Sequence, residues 1–185
     1  MTPISFFSQG GRVAGMLRLP EGVAKAPVVV MCAGMTLTKE VWLPANAEWL
    51  CARGYATLSF DYRGFGESEG ARNRLVPSMQ VEDVRAALTF LETVGEVDSA
   101  RMGLFGVSLG ASVAVATAGV DSRVKATVAV AGPMDLGRVW QAFPGFDAFQ
   151  AKVSAARRKA VSTGELSYIK LSRLLASYPE TCSMI

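Results

Sequence analysis

The clearest sign of chemistry in this sequence is the pentapeptide Gly-Val-Ser-Leu-Gly at residues 106–110. A serine held in such a turn can attack a carbonyl carbon and form a covalent acyl intermediate if a nearby base accepts its proton. Histidine is the usual base, yet none of the 185 residues is a histidine. The motif therefore indicates nucleophilic catalysis and leaves the proton acceptor unassigned.

Each residue type in the pentapeptide has a physical role in this chemistry. A strained turn would project the hydroxyl of Ser108 from the edge of a sheet, and Gly106 and Gly110 would let a strand and a helix approach closely. The N–H of Leu109 would then lie at a helix N-terminus, where it can stabilise a negatively charged oxygen. The alternative interpretation is a tight glycine-rich turn without catalytic chemistry.

The elements around the motif follow the order that such a turn requires. Short apolar runs predict strands at residues 12–19, 27–31, 55–60, 101–107 and 124–131. Helical patterns lie between them at residues 39–53, after Pro77 and at residues 108–118. In the second of these helices four apolar residues share one face: Val81, Val84, Leu88 and Leu91. The alternation predicts an α/β fold with a mostly parallel central sheet and flanking helices.

The pattern changes after the last predicted strand. We divide the chain into a core at residues 1–135 and a helical, lid-like segment at residues 136–185, and ordinary packing helices are the alternative. One helical face there consists of Phe146, Phe149, Val153 and Ala156. Ser162 and Glu165 fit a capping box that would begin a further helix bearing Leu166, Ile169, Leu174 and Leu175. The aromatic residues of this segment suit either an apolar acyl group or packing of the lid: Trp140, Phe143, Phe146 and Phe149.

Two further stretches make the pattern specific. Residues 32–35 (Cys-Ala-Gly-Met) end the first buried strand, and residues 60–68 (Phe-Asp-Tyr-Arg-Gly-Phe-Gly-Glu-Ser) follow a later one. Together with the pentapeptide they resemble the α/β-hydrolase family in motif order and spacing over residues 10–135. The chain is most similar to the branch of dienelactone hydrolases and serine-peptidase relatives.

The resemblance implies a site and a reaction. It implies Ser108 as the nucleophile, with the backbone N–H groups of Leu109 and Met35 as oxyanion donors. The implied reaction is hydrolysis of an ester, thioester or amide of a small-molecule acyl substrate, or acyl transfer from it, without a metal or organic cofactor. Asp61 and Arg63, in the motif at residues 60–68, are expected to build the loop, paired with each other or with the backbone.

The resemblance also implies a triad acid and a histidine later in the chain, and three explanations of their absence stay open. The chain is an N-terminal fragment whose remaining residues supply them, it is a non-catalytic hydrolase-fold binding protein, or another base such as a lysine serves Ser108. We favour the fragment, because the strand at residues 124–131 would otherwise be an unprotected edge. Asp135 is predicted to cap a helix.

Composition excludes several other classes of function. The net charge of +3 is small, and residues 157–159 (Arg-Arg-Lys) fit a solvated helix face, so nucleic-acid binding is not expected. The cysteines at 32, 51 and 182 lack metal-ligand spacing and are expected to be free thiols. Without a signal-peptide pattern or a membrane-spanning apolar run, the expected location is the cytoplasm, and the oligomeric state stays open.

Overall fold

We analysed a computed structural model, which describes residues 1–142 and 145–168. Within that part of the chain the strands are β1 (Thr2–Ser8), β2 (Gly11–Arg18), β3 (Ala26–Cys32), β4 (Ala56–Phe60), β5 (Val97–Val107) and β6 (Val124–Val130). The helices are α1 (Leu43–Cys51), α2 (Pro77–Leu91), α3 (Leu109–Val120), α4 (Leu136–Gln141) and α5 (Phe146–Thr163). None of these helices is long and apolar enough to cross a membrane.

The strands form one sheet in the order β1-β2-β4-β3-β5-β6. β3 pairs in parallel with both β4 and β5, and β5 pairs in parallel with β6. β1 and β2 are antiparallel, as are β2 and β4. The prediction of an α/β fold with a mostly parallel sheet is therefore confirmed. It follows that the carboxyl ends of β3, β4, β5 and β6 meet at one edge of the sheet, where ligands bind in open α/β folds.

β1 was not expected from the sequence. It forms a hairpin with β2 through Gln9 and Gly10, which have φ values of 45° and 81°. Two consecutive residues with positive φ match the hairpin turn that best suits the twist of paired strands. Asn-Gly or Asp-Gly usually signals this turn, so glutamine in the first position hides it.

The core of the first unit lies between the strands and the helices α1, α2 and α3. Val28, Val30 and Leu58 in β3 and β4 have no more than 1% of their surface exposed. Strands buried on both faces are typical of parallel sheets. Three of the four residues predicted to share a face of α2 are fully buried, and Val81 packs against them half-buried.

The first predicted helix is shorter than expected, because the chain makes tight turns before it. Val41 donates to the carbonyl of Thr38 at 3.0 Å, and Trp42 has φ 63°. The helix therefore begins at Leu43 instead of residue 39. The residues before it, including Lys39, therefore lie in the loop that follows β3 and not in the helix.

Contacts between α-carbons divide the chain into two compact units, Met1–Met134 and Asp135–Ile185. In the second unit Asp135 accepts the N–H of Arg138 at 3.0 Å, which confirms the predicted cap. The predicted capping box at Ser162 is wrong, because α5 continues through Thr163. The hydroxyls of Ser162 and Thr163 donate back to the carbonyl of Lys159, and Gly164 ends the helix with φ 76°. Ile169, Leu174 and Leu175 lie outside the described residues, as does Phe143.

Candidate active site

Ser108 occupies a strained turn between β5 and α3. It follows the last residue of β5 directly and has φ 53° and ψ −128°, a conformation that costs a residue with a side chain about 1–3 kcal/mol. Its N–H donates to the carbonyl of Val130 at 2.9 Å, and its own carbonyl accepts the N–H of Ala111 at 2.9 Å. The backbone of Ser108 is therefore fixed by the neighbouring strand and by the first turn of α3.

The two glycines of the pentapeptide are needed because backbones meet there. A Cβ at Gly106 would lie 2.3 Å from the carbonyl oxygen of Gly110, and a Cβ at Gly110 would lie 2.1 Å from the carbonyl oxygen of Cys32. Both distances are shorter than atoms tolerate. The end of β3, the end of β5 and the start of α3 are thus in close contact around Ser108.

The two expected oxyanion donors differ in how the structure relates them to Ser108. Leu109 provides the first amide of α3, at the positive end of the helix dipole. Met35 follows Gly34, where an added Cβ would lie 3.4 Å from the Cβ of Ser108. Neither amide donates to another group within residues 1–142 and 145–168. The structure thus brings together Ser108, Leu109 and the loop of Met35 at the carboxyl edge of the sheet.

Ser108 is half-buried, and its hydroxyl has no hydrogen-bond partner in the described part of the chain. The sequence contains no histidine that could accept a hydrogen bond from this hydroxyl. The arrangement has a nucleophile and potential oxyanion donors, and the described residues provide no imidazole for proton transfer.

Lys39 is the buried lysine of the core unit, and it is unsuited to be the base. Its side chain is 4% exposed, and its Nζ lies 2.8 Å from Asp61, 2.7 Å from Glu40 and 2.6 Å from Glu67. Burial alone would lower the pKa of Lys39, but hydrogen bonds to these three carboxylates outweigh it and raise the pKa above its usual range. A lysine held as ammonium cannot accept the proton of Ser108.

Asp61 and Arg63 build the loop at residues 60–68, as expected, but they are not paired with each other. Asp61 pairs with Lys39, and the guanidinium of Arg63 pairs with Asp83 in α2. The N–H of Arg63 also donates to Asp83 at 3.1 Å. Of the two expected arrangements the mutual pair is wrong, because each side chain has a buried partner on a different element. Pairing with the backbone is confirmed, since Asp61 accepts the N–H of Lys39 and Arg63 donates to the carbonyl of Met79.

Sequence reasoning did not identify Lys39 and Asp83 as part of this arrangement. The sequence pattern places Lys39 in a helix that in the structure begins at Leu43, and Asp83 lies on the buried side of α2 among the apolar residues that define its predicted face. The available signal was a charged residue between the apolar positions of a core-facing helix. Charged residues are almost never fully buried unless they are paired, so Asp83 required a cation.

Comparison with known proteins agrees with the fold described above. The sequence profile described as the Alpha/beta hydrolase family matches residues 29–180. An uncharacterised 31.7 kDa protein from Escherichia coli is 43% identical over 116 residues, which are 63% of this chain and 41% of that protein. A thiohydrolase of Aspergillus aculeatus, aneE, is 39% identical over 114 residues, which are 61% of this chain and 36% of that protein.

Among solved structures, the α/β hydrolase GrgF from Penicillium superposes with a TM-score of 0.75 and 26% identity. The match covers 90% of this chain and 56% of GrgF. The aligned parts amount to about two fifths of the curated relatives' own length. The family profile extends over most of the sequence, and this chain belongs to the α/β-hydrolase family.

Proposed function

We propose that the protein is a serine hydrolase that cleaves an ester, thioester or amide through an acyl intermediate on Ser108. One observation carries the proposal. Ser108 is held at φ 53° at the carboxyl end of β5, directly before Leu109 and close to the loop of Met35, and the N–H groups of Leu109 and Met35 donate to no other group in the described part of the chain. A strained serine next to two unpaired donors has no evident structural purpose, whereas it is what acyl transfer requires.

The proposed chemistry has two steps. In the first, Oγ of Ser108 bonds to the substrate carbonyl carbon, and the N–H groups of Leu109 and Met35 stabilise the negative charge that develops on the carbonyl oxygen. The serine proton passes to a base and then to the leaving group as its bond to carbon breaks. In the second step water attacks the acyl carbon and gives its proton to the same base, which returns it to Oγ of Ser108 as the bond between Oγ and the acyl carbon breaks and the acid is released.

We propose that this base and the acid that orients it come from polypeptide beyond these 185 residues. The aligned portion is only 41% of the Escherichia coli relative, which leaves room for them in a protein of that length. The 185-residue chain is therefore expected to be weakly active alone. A binding protein with a hydrolase fold is the alternative, because the sequence contains no histidine.

Thioesters are the first substrate class to examine. The name of the Aspergillus aculeatus relative describes a thiohydrolase, and the motifs at residues 32–35 and 60–68 support the same acyl chemistry. A thiolate leaves more readily than an alkoxide, so a site with a weak base would cleave thioesters before esters. Acyl transfer to an alcohol or thiol would use the same acyl-Ser108.

The test is covalent labelling of the chain by a fluorophosphonate, with and without added imidazole. Imidazole can accept the serine proton in place of the missing histidine, so it should accelerate labelling. Peptide mass spectrometry would place the label at Ser108, and Ser108→Ala should remove it. Ser122→Ala, which alters an exposed serine, is the matched control and should label like the parent chain.

The two candidate functions give different results in this experiment. Imidazole-dependent labelling at Ser108, accompanied by slow turnover of a thioester, supports the hydrolase. A folded chain that is not labelled at Ser108 with imidazole present contradicts the hydrolase and favours the binding protein.

A further inference from the structure

The loop that carries Met35 contains a backbone conformation that its own residues disfavour. The N–H of Leu37 donates to the carbonyl of Gly34 at 3.2 Å, which closes a four-residue turn with Met35 and Thr36 in its middle. Thr36 has φ 62°, and this left-handed conformation is rare and unfavourable for a β-branched residue. Contacts outside the turn must therefore hold it in this shape.

The buried carboxylate of Asp61 supplies such contacts through Lys39, which lies close after Thr36. One oxygen of Asp61 accepts the backbone N–H of Lys39 at 2.8 Å, and the other accepts the Lys39 ammonium at 2.8 Å. One bond is made by the backbone and one by the side chain. Together they fix both the position and the direction of the chain where it leaves the turn.

Asp61 has little freedom to move. Its Oδ2 also accepts the N–H of Glu67 at 3.0 Å, and a Cβ on Gly66 would lie 2.1 Å from that oxygen. The side chain of Asp61 has no exposed surface. The enclosed carboxylate of Asp61 therefore keeps its position, and the two hydrogen bonds from Lys39 connect the turn to it.

The other two carboxylates around Lys39 contribute less to this constraint. Glu40 and Glu67 lie within 2.7 Å of its Nζ, but their side chains are 60% and 74% exposed. Water screens exposed ion pairs strongly, whereas a buried pair cannot be exchanged for hydration without a large penalty. The bond between Lys39 and Asp61 thus holds the loop most firmly.

We propose that Lys39 is a positioning residue that acts through Asp61 to direct the Met35 N–H toward the oxyanion formed at Ser108. This inference rests on the proposed function and extends it to a buried ion pair that does not touch the substrate. Without the ammonium, the turn can relax away from the left-handed conformation at Thr36. The Met35 donor then loses its direction, although Ser108 itself is unchanged.

The test compares Lys39→Met with the double variant Thr36→Gly/Lys39→Met. Glycine is favoured at the third position of a turn with positive φ, so Thr36→Gly should restore the turn without the ion pair. We measure the maximal rate constant (kinact) and the half-saturating concentration (KI) for fluorophosphonate labelling in imidazole. Lys125→Met, which removes an exposed lysine that donates to the carbonyl of Ser122, is the control.

We expect Lys39→Met to lower kinact about tenfold or more with KI unchanged, whereas removing an oxyanion donor outright lowers rates roughly 10²–10³-fold. The double variant should recover most of kinact, and Lys125→Met should change neither constant. A recovery of kinact by Thr36→Gly would be specific to the turn, because glycine at position 36 relieves the strain of the turn and would not reverse a general loss of stability. An unchanged kinact in Lys39→Met, or failure of the double variant to recover it, would overturn the proposal.

Amide hydrogen exchange over residues 33–42 provides a readout that does not depend on Ser108. Protection factors should fall in Lys39→Met and recover in the double variant. If Lys39→Met does not fold and glycine does not restore folding, the pair serves folding and the positioning role is contradicted. If the parent chain is not labelled at Ser108, the proposed function fails, and the protection factors alone decide whether Lys39 holds the turn.

Discussion

Gly110 lies against the carbonyl of Cys32 so closely that a Cβ on Gly110 would be 2.1 Å from that oxygen. Gly110→Ala should therefore force the start of α3 away from β3. We expect a loss of about 1–3 kcal/mol or more in the free energy of unfolding, as overpacked cores show, together with slower labelling of Ser108. Urea unfolding followed by circular dichroism measures the first effect.

Gly119→Ala is the matched control for this change, because it lies in the same helix and has no heavy atom within 4 Å of an added Cβ. Alanine there should raise the free energy of unfolding by about 0.4–1 kcal/mol, since it restricts the unfolded chain. Equal effects at positions 110 and 119 would contradict the close contact between α3 and β3.

Because Arg63 and Asp83 form a buried pair, we expect the removal of Asp83 to lower the free energy of unfolding far more than the removal of its neighbour Glu82. Their side chains are 8% and 2% exposed, so Asp83→Ala leaves an uncompensated guanidinium and should lower the free energy of unfolding by about 3–5 kcal/mol. Glu82→Ala removes a half-exposed partner of Arg85 and should change it by about 1 kcal/mol or less. Similar losses in the two variants in urea unfolding would argue against a structural role for Arg63.

The ion pair between Asp121 and Arg123 leads us to expect a loss of stability at low pH. A hydrogen bond from Arg123 lowers the pKa of this buried carboxyl from 3.8 to about 2, against the opposing effect of burial, and Arg85 adds a further bond. Because the folded pKa is below the unfolded pKa, the stabilisation is complete above about pH 5 and disappears as the pH falls toward 2. It amounts to about 2 kcal/mol.

Urea unfolding of the parent chain and Asp121→Asn across this pH range measures the effect. The difference in unfolding free energy between them should shrink as the pH falls. Glu21→Gln, which removes an exposed carboxylate, is the control for the loss of a surface charge. A difference for Asp121→Asn that does not depend on pH would contradict the role of the Asp121–Arg123 pair.

The two described cysteines should differ in reactivity. Burial raises the pKa of the Cys32 thiol to about 12, whereas Cys51 is only half-buried. At about pH 8, near the pKa of an ordinary thiol, iodoacetamide should modify Cys51 and spare Cys32 until the chain is unfolded in guanidinium. Peptide mass spectrometry separates the two sites. Modification of Cys32 in the native protein would show that the end of β3 opens to solvent.

The parts of the fold that depend on local pattern could be predicted from the sequence. The sequence predicts β3 because a strand buried on both faces consists of consecutive apolar residues, and it predicts the apolar face of α2 because burial of one side of a helix imposes a helical period. The sequence predicts the turn at Ser108 because glycine is required at both of its flanking positions, where backbones come into close contact. In each case the residues of a single segment are enough to predict its structure.

Features that depend on two distant segments could not be predicted in this way. Lys39 and Asp61 are 22 residues apart and meet only after the loops on either side of them have folded. The capping-box pattern at Ser162 failed for a related reason, because the same residues also suit the last turn of a helix that ends at Gly164. Side-chain pairing and competition between caps are decided by tertiary context rather than by spacing.

The hydrogen bond from Ser108 to Val130 connects the nucleophile to β6, which pairs with β5 alone among the described strands. Edge strands open more readily than central ones, and each opening of β6 would break the bond that fixes the backbone of Ser108. Any polypeptide that pairs with β6 would therefore also reduce the fluctuations of the nucleophile. Extension of the sheet and the order of the serine are thermodynamically linked through this one hydrogen bond.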